Sequence, residues 1–174
     1  MEIQVGNVQI ETTRGDIANQ PNVDAIVNAA NAQLQTGGGV AGAIHRAAGS
    51  GLARECAPQA PIKPGEAVIS GGHNLPNRFV IHCLGPVYGK DKPEDKLLTN
   101  CYKNALLLAD KYEVQTVAFP AISTGIFGYP IVDAARVALN TVKETVPHLK
   151  HVRKVRFVLF GESDYEVFSK HLKE

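Results

Sequence analysis

Short strand-like runs alternate with helical patterns along most of the chain, and this alternation restricts the fold more than any other feature. Six runs rich in Val, Ile and Phe are predicted strands: residues 8–13, 24–30, 66–71, 79–86, 114–122 and 152–160. Apolar residues recur with a 3.6-residue period in 98–112 and 131–146, and a last helix is predicted to open with Ser163 and Glu166 as a capping box. The alternation predicts an α/β fold in three layers, with a mixed central sheet between helices.

Length and charge narrow the class of protein. The chain has 174 residues, which predicts a single domain spanning 1–174, and 44% of the residues are hydrophobic. Lys and Arg nearly balance Asp and Glu, with a net charge of +1, so the charge does not favour nucleic acid or a membrane surface. Any anionic ligand must therefore be held by a shaped local site.

Several residue types that often carry chemistry are interpreted as structural. The cysteines Cys56, Cys83 and Cys101 have no CxxC spacing, so we expect reduced thiols packed as small apolar groups in a cytoplasmic protein. The N-terminus lacks the pattern of a secretory signal, and no apolar run is long enough to span a membrane. The histidines show no ligand spacing, so we expect no metal and no cofactor, and His82 is interpreted as a core residue.

Two glycine loops point to an anion site. Gly37, Gly38 and Gly39 lie between a predicted strand and the helix-like run 40–49, where free backbone N–H groups and bare backbone can approach a phosphate. A second loop, 121–130, also follows a strand and precedes a helix. It contains Ile126 and Phe127, which are apolar residues in a segment expected to be exposed. Each loop alone could be a tight turn, but together they favour a diphosphate between them, because such loops line the ligand crevice of an α/β sheet.

Four motifs in this order resemble the macrodomain family. They are GDI at 15–17, IVNAAN at 26–31, GGGVAGAIHRAAG at 37–49 and PAISTGIFGYP at 120–130. The resemblance extends over nearly the whole chain and implies a three-layer macrodomain fold with a cleft for ADP-ribose. It also implies that the partners are ADP-ribose and mono-ADP-ribosylated proteins. The charge balance and the lack of a long apolar run predict no nucleic-acid or membrane partner. We expect the protein to be a monomer.

The resemblance also implies roles for individual residues. Asp16 would accept a hydrogen bond from the adenine amino group, the Ile17 amide would help to fix the ring, and Phe160 would pack on it. Asn31 would hold the distal ribose, whose bond reacts. The two loops would wrap the diphosphate through Gly37, Gly38, Gly39, Val40, Ser123, Thr124, Gly125, Ile126 and Phe127.

The residues themselves leave alternatives for these roles. Asp16 after Gly15 is also typical of a turn. Asn28 and Asn31 could each form a turn at the strand end; this turn role is preferred for Asn28, and the site role for Asn31. Phe160 could belong to the core instead of the adenine site.

Position 41 bears on catalysis. The best-known hydrolase branch of the macrodomain family carries an aspartate ten residues after the second asparagine of the NAAN motif, and this sequence has Ala41 there. His45 is either the remainder of an acid–base pair or a satisfied, hydrogen-bonded helix histidine at the cleft wall, and we favour the second interpretation. The combination of GGGVAG and GIFG also resembles viral macrodomains, which remove mono-ADP-ribose without that aspartate.

The sequence therefore supports two functions of different class. One is an enzyme that removes mono-ADP-ribosyl groups from proteins, or cleaves related esters such as O-acetyl-ADP-ribose, with Asn31 and His45 as the candidate catalytic residues. The other is a module that binds ADP-ribose and releases it unchanged, which Ala41 favours.

Overall fold

The computed structural model describes residues 1–174 and contains seven strands and five helices. The strands are β1 (Glu2–Val5), β2 (Val8–Arg14), β3 (Ala25–Ala29), β4 (Ala67–Gly71), β5 (Phe79–Cys83), β6 (Thr116–Phe119) and β7 (Lys154–Leu159). The helices are α1 (Gly39–Ala48), α2 (Gly51–Cys56), α3 (Glu94–Lys111), α4 (Ile131–Thr145) and α5 (Glu162–Lys173). Single 3-10 turns extend α2 over Ala57–Gln59 and α4 over Val146–His148.

All seven strands form one mixed sheet in the order β1-β2-β7-β6-β3-β5-β4. The five inner strands are β2, β7, β6, β3 and β5, and each pairs in parallel with its inner neighbours. The edge strands β1 and β4 pair antiparallel. Parallel neighbours end at the same edge of a sheet, so the loops after β2, β7, β6 and β3 all emerge side by side.

Helices cover both faces of the sheet and enclose two hydrophobic cores. The larger core lies under α3, α4 and α5, where Tyr102, Phe119, Phe157 and Phe168 pack ring against ring. The smaller core lies under α1 and α2 and contains Ile44 and Leu52. The predicted three-layer α/β/α architecture with a mixed sheet is confirmed.

The predicted elements agree with the structure except at short or marginal segments. All six predicted strands and the long helices are present, but the edge strand β1 and the short helix α2 were not predicted. The capping box predicted for the last helix is wrong, because Gly161 is the N-cap residue and no side chain caps the helix. Ser163 and Glu166 lie inside α5, and the acidic side chains of Glu162 and Asp164 face its first turn instead.

The three cysteines are free and fully buried, as predicted for small apolar groups. Burial raises the pKa of the Cys56 thiol and of the Cys101 thiol, the latter to about 12, so both remain neutral. None of the helices has the length and apolar character that crossing a membrane requires.

A buried polar cluster joins β3, β4, β5 and α2 under the smaller core. The His82 ring lies between Asn28 Nδ2, at 3.1 Å from Nδ1, and Ser70 Oγ, at 2.9 Å from Nε2. Cys56 Sγ is 3.4 Å from the same Nε2 atom. His82 is thus a hydrogen-bonded core residue. Asn28 does not form the predicted turn at the strand end, because it lies inside β3 with its side chain buried against His82.

Acid should destabilise the fold through His82. Burial, and then the nearby His45, lower the pKa of His82 from 6.5 to about 3, so its neutral form stabilises the fold fully above pH 6.5. This contribution is lost as the pH falls from 6.5 towards 3, at a rate of up to about 1.4 kcal/mol per pH unit. Urea unfolding at about pH 7 and about pH 4.5 should therefore give a smaller pH dependence for His82→Gln than for the wild type.

The exposed His148 supplies the matched control for this measurement. His148→Gln should keep the wild-type dependence of unfolding free energy on pH. Equal slopes for the wild type and His82→Gln would contradict the prediction.

Candidate functional site

The loops after four neighbouring parallel strands meet at one edge of the sheet and form a cleft. Gly15 and Asp16 follow β2, Phe160 follows β7, the loop 120–130 follows β6, and the glycine loop 37–39 lies between β3 and α1. The crevice at the carboxyl ends of strands is where α/β sheets bind ligands. The strand order therefore brings together residues that are far apart in the sequence.

Two adjoining cavities, of about 280 and about 500 Å³, make up this cleft. Both are lined by Gly39, Val40, Ala121 and Gly125, so the cavities meet where the two loops face each other. The smaller cavity contains these predicted residues: Asn31, Gly37, Gly38, Gly39, Val40, Ser123, Gly125, Ile126 and Phe127. The larger contains Asp16, Ile17, Gly39, Val40, Thr124, Gly125 and Phe160. Of the predicted site residues, His45 alone lines neither cavity.

Helix α1 presents its N-terminus to the junction of the cavities. The N–H groups of a first helical turn have no partner within the helix and carry partial positive charge. The helices α3, α4 and α5 each have acidic residues in the first turn, whereas α1 has none; no side chain caps any of these four helices. The N-terminus of α1 is therefore left open to an external anion.

Close backbone packing holds the glycine loop in place. A Cβ atom at Gly42 would come within 2.4 Å of the Gly37 carbonyl oxygen, so only glycine lets the loop fold back onto α1. By contrast, a Cβ at Gly38 would meet no atom within 4 Å. The requirement for glycine is thus structural at position 42, while position 38 faces open space.

The second loop is closed by its own hydrogen bonds. The Tyr129 N–H donates to the Ser123 carbonyl at 2.9 Å, and the Thr124 hydroxyl donates to the Ala121 carbonyl at 2.8 Å. Ser123 has a φ of 69°, which is uncommon for a residue other than glycine, and its buried Oγ has no partner. Such strain is typical of functional loops that the surrounding structure holds in one conformation.

Asp16 both forms a turn and faces the larger cavity. Its Oδ1 accepts a hydrogen bond from the Ala18 N–H at 2.9 Å, which is the turn that the sequence suggested. The second carboxylate oxygen makes no hydrogen bond within the protein and can accept one from a ligand. The two interpretations of Asp16 are therefore compatible.

Phe160 belongs to the surface of the cleft and not to the core. Its side chain is 89% exposed at the end of β7, where it lines the larger cavity. Ile126 in the second loop is 99% exposed beside the smaller cavity. Exposed side chains of this size at both ends of the cleft offer apolar contact area to a ligand.

Asn31 is held in one orientation at the smaller cavity. Its Nδ2 donates to the Gln35 carbonyl at 2.8 Å, and its Oδ1 accepts from the Gln35 N–H at 3.0 Å. An amide has two donor hydrogens and two acceptor lone pairs, so one of each remains for a ligand. Asn31 therefore forms a turn and lines the cleft at once.

The histidine on α1 points away from the cleft. His45 is 7% exposed, and its Nε2 is buried without a hydrogen-bond partner, so it is not the satisfied helix histidine that the sequence favoured. Burial lowers its pKa and keeps the ring neutral. Ala41, one turn earlier, does line the smaller cavity. No ionisable side chain therefore lines the smaller cavity.

Arg46 and Asp164 line the larger cavity and were not predicted. Arg46 is the one basic residue in the walls of either cavity. Val40, Ala43 and Arg46 follow one another at three-residue spacing and line the same cavity, so helical periodicity carried the signal for this position. Asp164 gave no such signal, because its place depends on how α5 packs beside β7.

Comparison with known proteins gives consistent matches. A model of the Macro domain family matches residues 27–138. A macro domain-containing protein of Chlorobaculum tepidum is 47% identical over 167 residues, which cover 95% of this chain and 96% of that protein. The ADP-ribose glycohydrolase MACROD2 of Xenopus laevis is 45% identical over 99% of this chain, but the match covers only 43% of that longer protein.

Solved structures match over the same length. The Oceanobacillus iheyensis macrodomain with ADP superposes with a TM-score of 0.94 at 40% identity, covering 99% of this chain and 94% of that one. The Trypanosoma brucei macrodomain in complex with ADP-ribose superposes with a TM-score of 0.86 at 38% identity, covering 92% of this chain and 68% of that one.

The packing of the glycine loop on α1 can be tested through stability alone. Gly42→Ala should lower the free energy of unfolding by roughly 1–2 kcal/mol, because displacing the loop outweighs the gain of about 1 kcal/mol for Ala over Gly in a helix. Gly38→Ala, where a Cβ meets nothing, should leave the melting temperature unchanged. Thermal unfolding of both variants measures the difference, and a Gly42→Ala protein as stable as the wild type would contradict the assignment.

Proposed function

The chain belongs to the macrodomain family, and we propose that it binds ADP-ribose in the cleft and hydrolyses mono-ADP-ribosyl groups on proteins. The observation that carries the proposal is the continuous cleft, with an acidic acceptor and an exposed aromatic ring at one end and an oriented amide at the other. Between the two ends lie the helix N-terminus and the glycine loops. This order of chemistry corresponds to adenine, diphosphate and distal ribose.

The larger cavity suits adenine. An ionised carboxylate accepts hydrogen bonds only, so the free oxygen of Asp16 is complementary to the adenine amino group. Phe160 offers a ring face for the base, and the backbone amide of Ile17 lies at the same end of the cavity. Asp164 and Arg46 face the same space and are available to the proximal ribose.

The junction of the cavities suits a diphosphate. Backbone N–H groups of the first turn of α1 and of the second loop can surround an anion without a basic side chain. This is consistent with a net charge of +1 and with Arg46 as the sole basic residue of the walls. The two phosphates would lie between Gly38 and Gly125.

The smaller cavity suits the distal ribose, and its chemistry limits the mechanism. Hydrolysis adds water across the bond between the ribose and the acceptor side chain, which releases free ADP-ribose and the unmodified side chain. Ala41 supplies no general base, and the buried neutral His45 does not reach the cavity. Catalysis would therefore depend on positioning by Asn31 and on water held by the substrate phosphate, and positioning alone can contribute on the order of several kcal/mol.

Ester-linked ADP-ribose on acidic side chains is the substrate that this site suits best. A carboxylate leaving group needs little protonation, so the reaction can proceed without an acid–base pair at the site. The named activity of the MACROD2 relative supports hydrolysis in this family. O-acetyl-ADP-ribose contains a comparable ester and is a second substrate of the same class.

One observation favours the alternative, a module that binds ADP-ribose and releases it unchanged. Ala41 lies in the wall of the smaller cavity, at a position where a carboxylate could have oriented water. No ionisable side chain lines that cavity. Binding and catalysis are therefore tested separately.

ADP-ribose should bind with 1:1 stoichiometry, and AMP more weakly because it lacks the distal ribose and the second phosphate. Asp16→Ala should weaken ADP-ribose binding by roughly 1.5–3 kcal/mol through loss of a charge-assisted hydrogen bond. Asp95→Asn removes the charge of an exposed carboxylate outside both cavities and should leave the affinity unchanged. Calorimetry measures all three, and an absence of heat at high protein concentration would refute the proposed binding.

The wild type should slowly release ADP-ribose from an ester-linked substrate under single-turnover conditions. Asn31→Ala should abolish release, because the reacting ribose would lose its main contact. Ala41→Asp should raise the rate about 10- to 100-fold by supplying a general base. Mass spectrometry of the modified protein follows the reaction. If the protein binds ADP-ribose tightly but releases no more of it from the substrate than buffer does, the alternative function as a non-catalytic ADP-ribose reader stands. Full release by Asn31→Ala would contradict the mechanism.

A further inference from the structure

The turn that carries Asp16 is tied to the sheet by a chain of buried polar contacts. The Asp16 carbonyl oxygen accepts two hydrogen bonds at 2.9 Å, one from the Asn19 N–H and one from Gln20 Nε2. Gln20 is only 7% exposed although its side chain is polar. A buried amide that is hydrogen-bonded through both its nitrogen and its oxygen holds its surroundings in one arrangement.

Arg156 on β7 determines which way the Gln20 amide faces. Arg156 Nη1 lies 2.8 Å from Gln20 Oε1, and Arg156 Nε donates to Glu11 on β2 at 2.7 Å. A guanidinium can only donate, so the amide oxygen must face Arg156. The NH₂ group is then directed at the Asp16 carbonyl.

Asn22, like Gln20, accepts a hydrogen bond from Arg156, but it does not contact Asp16. Arg156 Nη1 also donates to Asn22 Oδ1 at 2.9 Å. Asn22 makes no hydrogen bond to Asp16, so it separates the effect of the Arg156 network from the effect of the Gln20 donor.

We infer that Gln20, oriented by Arg156, is a positioning residue that aims the Asp16 carboxylate and thereby selects a base with an exocyclic amino group. This inference rests on the proposed function, in which Asp16 accepts from adenine. With the turn fixed, the free carboxylate oxygen meets an amino donor but repels the carbonyl oxygen of hypoxanthine. Without the Gln20 donor, the turn can move, so adenine loses its contact and hypoxanthine meets less repulsion.

The test compares ADP-ribose with inosine diphosphate ribose, which carries hypoxanthine in place of adenine, by calorimetry. In Gln20→Met, the affinity for ADP-ribose should fall about tenfold, the order expected for a disturbed hydrogen bond to a charged group. The affinity for inosine diphosphate ribose should stay equal or rise, so the preference for adenine should fall by at least the same factor. A merely structural role would weaken both ligands equally.

Two further variants keep the test decisive. Gln20→Glu keeps the contact with Arg156 but removes the donor to the Asp16 carbonyl, so it should show the same loss of preference even if Gln20→Met does not fold. Asn22→Ala should retain the wild-type preference. A wild-type preference in Gln20→Glu, or a wild type that binds both ligands equally, would overturn the inference while leaving the proposed binding intact. A wild type that binds neither ligand would refute the proposed function, and this inference with it.

Discussion

Parallel pairing of β2, β7, β6 and β3 is the constraint on which the site depends. Because these four strands point the same way, the loops at their carboxyl ends meet along one edge. Residues 16, 38, 125 and 160 are distant in sequence, yet they face one cleft. Any change in strand order would scatter them.

Within this cleft, backbone N–H groups provide the donors and the partial positive charge that lysine and arginine provide in many anion sites. The N-terminus of α1 has no acidic neighbour in its first turn, and glycines let its N–H groups approach a ligand. The supporting side chains are polar groups fixed by the backbone or by one another: Asn31 by Gln35, and Gln20 by Arg156. Such preorganisation reduces the ordering cost of binding.

A cleft built in this way has the groups that binding requires but lacks the acid–base groups that fast catalysis requires. Positioning comes from rigid loops, but acid–base chemistry needs a titratable group in contact with the reacting atoms. Ala41 lines the smaller cavity, and His45 turns into the interior with its ring neutral. The same scaffold can therefore serve as a reader or as a slow hydrolase, and a single side chain on α1 bears on which of the two it is.

The sequence by itself determined the local features: strand and helix periodicity, the two glycine loops, the Asp16 turn and the alanine at position 41. These depend on neighbours a few residues away, so spacing reveals them. Only the tertiary structure decided that Phe160 is exposed, that His45 faces the interior, and that Asp164 and the Gln20–Arg156 pair support the cleft. Burial and hydrogen-bond partners are set by segments distant in the chain, and no local pattern records which of them will meet.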